Sequence, residues 1–440
     1  MESVAYVDRP KLRLLQRLTE ARRRTDALIE RVGPGRLYQR PIPERHRFVF
    51  YLGHLEAFDW NLLHERLGLE RTHAELDALF AFGIDPIDGR KPHDMPHDWP
   101  TSDHVIAYRR NVRRTLDAAL GADPFRDPAD GVDAPLEFLL EAAIEHRLMH
   151  AETLAYMLSQ ARGDRARRND APAGEPPAMR MVRIPGGRVE LGAPRSGWHA
   201  FGWDNEFDAH DVTVRDFEMS KYMVTNGEFL EFMSAGGYYD SRYWSPSDWD
   251  WRRSEEIVHP TSWAHVDGAW YFRTTEALVP LPLDWPVYVS HAEASAYARF
   301  VGASLPTEAQ WHRAAFGTHM GTERPYPWGH ALPAARHGNF DFSADEPCAV
   351  DAHRAGDSAF GISGLLGNGW EWTSTPFAPF PGFRAFTFYP GYSRDFFDEH
   401  HYVLKGGSPF TAACMLRRSF RNWFQPHYPY VYAGFRCVRN

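Results

Sequence analysis

Cysteine is scarce in this chain. Three residues among 440, Cys348, Cys414 and Cys437, cannot staple a fold of this size, which excludes a disulfide framework. Long apolar runs are also missing: none approaches the roughly 18–20 residues that a membrane helix needs. There is no basic excess, with 49 Lys and Arg against 58 Asp and Glu and a net charge of −9, so the electrostatic footprint of a nucleic-acid binder is absent. The opening MESVAYVDRPKLRLLQ turns amphipathic at once instead of forming a charged-then-apolar leader. Together these absences predict a cytoplasmic protein with no membrane and no nucleic-acid partner. Its length allows two or three domains with real cores. Aromatic residues are plentiful: 15 Trp, concentrated in the second half, predict irregular structure with pockets there.

The first half reads as helices. Residues 10–33 predict an amphipathic helix with an approximate apolar stripe of Leu12, Leu15, Leu18, Ala21, Ala27 and Ile29, ended by Gly33. Residues 46–68, 101–121 (capped by Thr101 or Ser102) and 136–160 predict three more. Four helices with one long connection predict a four-helix bundle. That connection, residues 80–100, is rich in Pro, Gly and Asp and too long for a simple turn; such loops often carry function.

The most informative stretch is His146-Arg-Leu-Met-His150. Spacing of i, i+4 puts both imidazoles on one helical face, with Cβ atoms about 5–6 Å apart, as a two-pronged metal claw. Neutral imidazole is a ligand for Fe, Zn, Cu and Ni. Any single pair of this kind competes with ordinary surface or core histidines, but that reading weakens inside an apolar helix. Glu152 lies two residues further on and points elsewhere. His54, in the apolar pattern Phe48–Leu63, is a third candidate ligand. Three histidines without a carboxylate leave up to three positions open on Fe(II). Zn(II) with one open site is the other metal reading, although no general-base carboxylate follows the histidines at hydrolase spacing.

Residues 162–178 are charged, rich in Pro, Ala and Gly and aperiodic, and predict a linker. It divides a helical domain, 1–161, from a domain at 179–440. There, short strand-like runs alternate with loops, and helices are predicted at Asn226–Ser234 and His291–Gly302, the latter capped by Ser290. The fold class is multidomain, α plus α+β.

The second domain resembles the formylglycine-generating-enzyme/sulfatase-modifying family, a C-type-lectin-like fold. The matching words are Ile184-Pro-Gly-Gly187, Val224-Thr-Asn226, Leu305-Pro-Thr-Glu308 with Trp311, Gly367-Asn368 with Trp370-Glu-Trp372, Gly406-Gly-Ser408 and Gly434-Phe-Arg436. Oxidase members of that family carry a cysteine pair after the Gly-Gly-Ser; Cys414 stands alone here, which argues against formylglycine-generating chemistry. The first domain resembles a DinB-type bundle. The pair of domains, with His54, His146 and His150, resembles the sulfoxide synthases of ergothioneine biosynthesis, the EgtB type. Phe201-Gly-Trp-Asp-Asn-Glu206, Tyr389-Pro-Gly-Tyr-Ser393 with Phe396-Phe397, and Arg421-Asn-Trp423 are similar to segments of that family.

The resemblance implies a non-haem iron(II) enzyme that uses O2 to join a thiol such as cysteine to hercynine. His54, His146 and His150 would be the metal ligands, Tyr389 the proton donor and Tyr392 a hydrogen-bond partner of the imidazole. Trp423 and Phe424 would offer aromatic faces to the trimethylammonium group, Asn422 would pair with the carboxylate, and Arg90 would clamp the donor's carboxylate. Three positions depart from the family pattern: Met149 replaces a Gln that faces the imidazole, Phe424 replaces an Asp that holds a glutamyl ammonium, and Gly89-Arg90-Lys91 replaces an Arg pair. They argue against γ-glutamylcysteine as donor. Two relatives remain open as alternatives: a selenoneine synthase, which joins a selenosugar to hercynine, and a histidine-using 5-histidylcysteine sulfoxide synthase, which usually carries a methyltransferase domain that this chain lacks. From another class, DinB-like bundles and lectin-like domains also serve as non-catalytic binding scaffolds, but a scaffold has no use for three metal-facing histidines.

Overall fold

The computed structural model describes residues 9–81, 92–122, 134–161, 166–168, 174–195 and 200–440. They divide into two compact units, Met1–Gly163 with Ser196–Phe201, and Asp164–Arg195 with Gly202–Asn440.

The first unit is built on α1 (Arg9–Val32), α2 (Phe48–Leu63), the short α3 (Ala74–Leu79), α4 (Ser102–Gly121) and α5 (Leu136–Gln160). On α1, Leu14, Leu18, Ala21, Thr25, Leu28 and Val32 are buried. They recur at alternating spacings of four and three, the period of a single helical stripe. Leu12 and Ala27, expected on that stripe, are exposed instead; apolar letters alone do not say which Leu meets a neighbour, and the buried stripe runs through Leu14 and Leu28. The helices α2 and α5 are buried almost all round, as helices without a polar face must be. The helix α1 lies along α5, and α2 packs against α4 and α5. Thr101 caps α4 by accepting the His104 N–H, which supplies one of the missing first-turn partners.

The second unit is α+β. In the first part of the chain it carries β1 (Ala166–Arg167), β2 (Met181–Ile184), β3 (Gly187–Leu191), β4 (His210–Val214), β5 (Phe217–Ser220), α6 (Asn226–Ser234), α7 (Pro246–Ser254), β6 (Trp263–Val266), β7 (Ala269–Arg273) and β8 (Ala277–Pro280). Then follow α8 (His291–Phe300), α9 (Glu308–Phe316), β9 (Gly369–Pro376), the single turn α10 (Gly391–Arg394), β10 (Tyr402–Gly407), β11 (Asn422–Phe424), β12 (Ala433–Gly434) and β13 (Val438–Arg439). Short sheets form in the orders β1-β8-β7-β6, β11-β10-β9-β12, β13-β5-β2 and β3-β4. Two departures from expectation stand out. Ala166–Arg167, inside the expected linker, pairs in parallel with β8; two residues are too few to show a period. The helices α7 and α9, not anticipated, each open on a capping side chain, Ser245 and Thr307.

The words that carried the resemblance in the second unit meet in its core. Glu371, fully buried between Trp370 and Trp372, accepts from Arg436 Nε at 2.8 Å and from Trp311 Nε1 at 2.9 Å. A buried carboxylate is tolerable only with such partners, so these residues have to occur together.

Candidate metal centre and tyrosine loop

His54 comes from α2, and His146 and His150 lie one turn apart on α5. Packing α2 on α5 brings the three Nε2 atoms together. His150 Nε2 lies 3.2 Å from His54 Nε2 and 3.1 Å from His146 Nε2, and the ligand atoms of all three fall within 4.8 Å of one another. Two nitrogens bound to one ion at about 2.1 Å stand roughly 3.0–3.4 Å apart, so the spacing fits a shared metal ion. All three rings are buried. Burial holds His54 down to about 4, and burial together with the neighbouring imidazoles holds His146 and His150 well below the usual histidine range. The rings are therefore neutral at pH 7, the form that ligates metal.

Ring orientation is fixed from behind. His54 Nδ1–H donates to the Phe80 carbonyl at 2.6 Å, which leaves Nε2 with its lone pair facing the other two rings. Phe80 reaches that position because residue 53 is glycine: a Cβ there would stand 2.5 Å from the Phe80 ring. The ring of Phe50 stacks on His54 at 4.7 Å, and that of Phe58 on His146 at 3.4 Å. Tyr51 meets His150 edge-on at 5.7 Å.

A buried ion network locks the register of the ligand helices. Arg147, fully buried next to His146, donates to Asp59 at 2.6 Å, Glu56 at 3.0 Å and the Leu55 carbonyl at 2.8 Å. From α4, Arg113 bridges Glu56 at 2.6 Å and Asp26 of α1 at 2.6 Å. Despite complete burial, the guanidinium groups of Arg147 and Arg113 hold the Glu56 carboxyl well below the usual carboxylate range.

In the second unit, Tyr389 and Tyr392 occupy the loop that becomes α10. Tyr392 is buried and stacks on Trp203 at 4.0 Å, while Tyr389 is half-buried with its ring 5.5 Å from that of Tyr392. The next residue, Ser393, donates to Asp204 at 2.5 Å and accepts from Asn205 Nδ2 at 2.9 Å. Burial pushes the Asp204 carboxyl up to about 6 against the pull of the Ser393 hydroxyl and the backbone N–H groups of Asn205 and Phe386. Glu206 receives Arg417 at 2.5 and 2.8 Å and Ser419 at 2.7 Å.

Asn422, Trp423 and Phe424 form β11, paired with β10 in the register Leu404–Asn422, Val403–Trp423 and Tyr402–Phe424. Trp423 stacks on Phe377 at 4.2 Å and meets Tyr392 edge-on at 5.3 Å. Phe424 stacks instead on Tyr428, at 5.3 Å. Alternation along a strand sends neighbours to opposite faces, so these two rings do not line one cage, contrary to expectation. The Asn422 side chain accepts the Trp423 N–H at 2.9 Å. Met149 is half-buried on α5. Arg90 lies outside the described residues. Reading the sequence missed Phe80, Arg147 and Ser393. Gly53, directly before His54, was the one local signal for Phe80: a glycine inside an apolar helix marks a close approach.

No helix among the described residues is long and apolar enough to cross a membrane. Residues 168–440 match the sulfatase-modifying factor enzyme 1-like domain and residues 17–154 the DinB superfamily. The chain is 37% identical over 349 residues to a hercynine oxygenase of Mycolicibacterium smegmatis, covering 77% of this chain and 78% of the relative. It is 40% identical over 238 residues to a hercynine oxygenase of Mycobacterium tuberculosis, covering 53% of this chain and 55% of the relative. It is 27% identical over 446 residues to ergothioneine biosynthesis protein 1 of Schizosaccharomyces pombe, covering 92% and 53%. The second match covers about half of each chain, and in the third the chain spans about half the length of the relative. With this domain pair and this similarity, the chain belongs to the hercynine oxygenase family, the sulfoxide synthases of ergothioneine biosynthesis.

Proposed function

We propose that this cytoplasmic protein is a non-haem iron(II), O2-dependent sulfoxide synthase that joins the imidazole ring of hercynine to a small thiol such as cysteine. The balance is one thiol, one hercynine and one O2 giving one sulfoxide and one water: a C–S and an S=O bond form, and the thiol S–H and ring C–H supply the hydrogens of the water. The observation that carries this reading is the convergence of His54 and His146 on His150, at 3.2 and 3.1 Å, with all three ligand atoms within 4.8 Å of one another in a buried, neutral set that holds no carboxylate among the described residues. Iron(II) held there would supply redox chemistry with O2 and a Lewis-acidic position for a thiolate.

The chain's own residues do the rest. The three histidines are uncharged at neutral pH, and the Phe80 carbonyl keeps the His54 proton on Nδ1, leaving its Nε2 lone pair for the metal. Tyr389 holds the proton delivered during oxygen chemistry, and Tyr392 hydrogen-bonds the substrate imidazole. Trp423 supplies an aromatic face for a quaternary ammonium, a contact worth about 0.5–2 kcal/mol, and Asn422 pairs with the carboxylate. Arg90 clamps the carboxylate of the sulfur donor. Phe424, in its apolar stack with Tyr428, has no charge to offer a glutamyl ammonium. That loss costs on the order of 1.5–3 kcal/mol, about ten- to a hundredfold in affinity, so γ-glutamylcysteine is the poorer donor.

The test is anaerobic purification with metal analysis, followed by O2 uptake and mass spectrometry. Hercynine and histidine are each paired with cysteine, γ-glutamylcysteine and a selenosugar. A hercynine–cysteine sulfoxide formed by the iron-loaded protein, and lost in His150→Ala, is the expected result. Product only with the selenosugar would move the donor to selenium. A zinc-loaded protein inactive with every pair would overturn the reading.

A further inference from the structure

We infer that Asp204, Asn205 and Glu206 are positioning residues that hold the tyrosine loop and the substrate strand β11 as one body, with the Ser393 hydroxyl as the pin.

Consecutive residues reach two distant segments. Trp203, fully buried, is the floor on which Tyr392 stacks. Asp204 and Asn205 then take the two sides of one hydroxyl: Ser393 Oγ gives its proton to Asp204 and receives one from Asn205. A hydroxyl so engaged has no free rotation left, and Ser393 itself is fully buried. Because Tyr389 and Tyr392 lie four and one residues before this pin, with Tyr392 N–H bonded to the Tyr389 carbonyl at 3.2 Å, the loop's phenol rings inherit its position. On the other side, Glu206 grips Arg417 and Ser419. The Asn205 carbonyl accepts from Arg421, the residue before β11, at 3.4 Å. Trp423 of that strand then meets Tyr392.

Fold stability alone gives little reason for this arrangement. Glu206 is matched by a guanidinium, but Asp204 is buried with a hydroxyl and the backbone N–H groups of Asn205 and Phe386 as its partners. A buried carboxylate held this way is costly, and an apolar substitute of similar size is commonly no worse for stability. Its carboxylate does one thing an apolar group could not: it fixes the direction of Ser393. Displacing a reacting group by about 1 Å can cost roughly a hundredfold in rate, so a rigid pin on this loop is worth that cost.

The inference rests on the functional reading above for its kinetic consequence, but not for its structural one. The experiment uses full-length, iron-loaded protein carrying Ser393→Ala, with Asp204→Asn as a second variant should the first not fold. Three quantities are followed: iron content, sulfoxide formed per O2 consumed, and backbone hydrogen exchange of residues 386–394 and 417–424. We expect unchanged iron content, about a tenfold drop in product per O2, and faster exchange in both segments. Loss of thermal stability with product per O2 and local exchange unchanged would mean a purely structural role and overturn the inference. Faster exchange in 386–394 alone would overturn the claim that loop and strand are one body. If the wild-type protein makes no product with any donor, the functional reading fails, while the exchange measurement still decides the pin.

Discussion

His54 Nε2 and His150 Nε2 stand 3.2 Å apart although 96 residues separate them in the chain. Nothing in the fold requires two neutral imidazole nitrogens to face each other at that distance in a buried site. Three rings so directed form a cluster that a bound cation would satisfy, and each feature behind them has a measurable consequence.

The first concerns Gly53. Adding a Cβ that meets the Phe80 ring at 2.5 Å moves Phe80 and with it the carbonyl that orients His54. Gly53→Ala is expected to lower iron affinity by roughly 10- to 100-fold, the usual cost of losing an outer-shell partner, while helical content is kept. Metal titration under anaerobic conditions measures it; an unchanged dissociation constant would remove Phe80 from the site.

The second concerns Arg147. Its removal leaves Glu56 and Asp59 buried with less compensation. Arg147→Leu is expected to cost about 3–5 kcal/mol, read as a lower midpoint in urea unfolding of the metal-free protein. A change below about 1 kcal/mol would show that Arg113 on Glu56 and Arg22, whose guanidinium lies 3.8 Å from Asp59, suffice to hold the two carboxylates.

The third concerns Tyr389. Tyr389→Phe is expected to keep iron and hercynine binding and to lower sulfoxide yield, with O2 diverted toward simple thiol oxidation. Product yield and rate equal to wild type would exclude the role and turn attention to Tyr392.

The fourth is a pH effect. Burial raises Asp204 from an ordinary 3.8 to about 6. Between those values the unfolded chain binds fewer protons at this site than the folded protein, so its contribution to stability falls as pH rises from about 4 to 6 and is constant above. Asn does not titrate. The stability of wild type relative to Asp204→Asn is therefore expected to increase as pH is lowered from 7 to 5, by about 1 kcal/mol for a shift of this size. A difference independent of pH would show that Asp204 ionises normally.

Much of this was legible in the chain. The helical spans of the bundle followed from apolar periodicity, and Thr101 and Ser290 announced two helix starts through short polar side chains that accept first-turn N–H groups. The His146–His150 pair followed from the 3.6-residue turn alone. Such features are local: a few neighbouring residues decide them, so the sequence by itself determined them. The words Trp370-Glu-Trp372, Trp311 and Gly434-Phe-Arg436 marked the second unit's fold through resemblance.

What tertiary structure decided is what depends on distant partners. Leu12 and Ala27 look apolar, yet packing within the bundle buried another stripe. His54 became the third member only because α2 lies on α5, and its tautomer was set by Phe80, 26 residues away. Trp423 and Phe424 are adjacent in sequence, but pairing of β11 with β10 sends them to opposite faces. Ser393 is an unremarkable serine until Asp204 and Asn205, nearly two hundred residues earlier, take its hydroxyl from both sides. A hydrogen bond is specified by direction as well as by residue type, and across such separations only the folded chain supplies the direction.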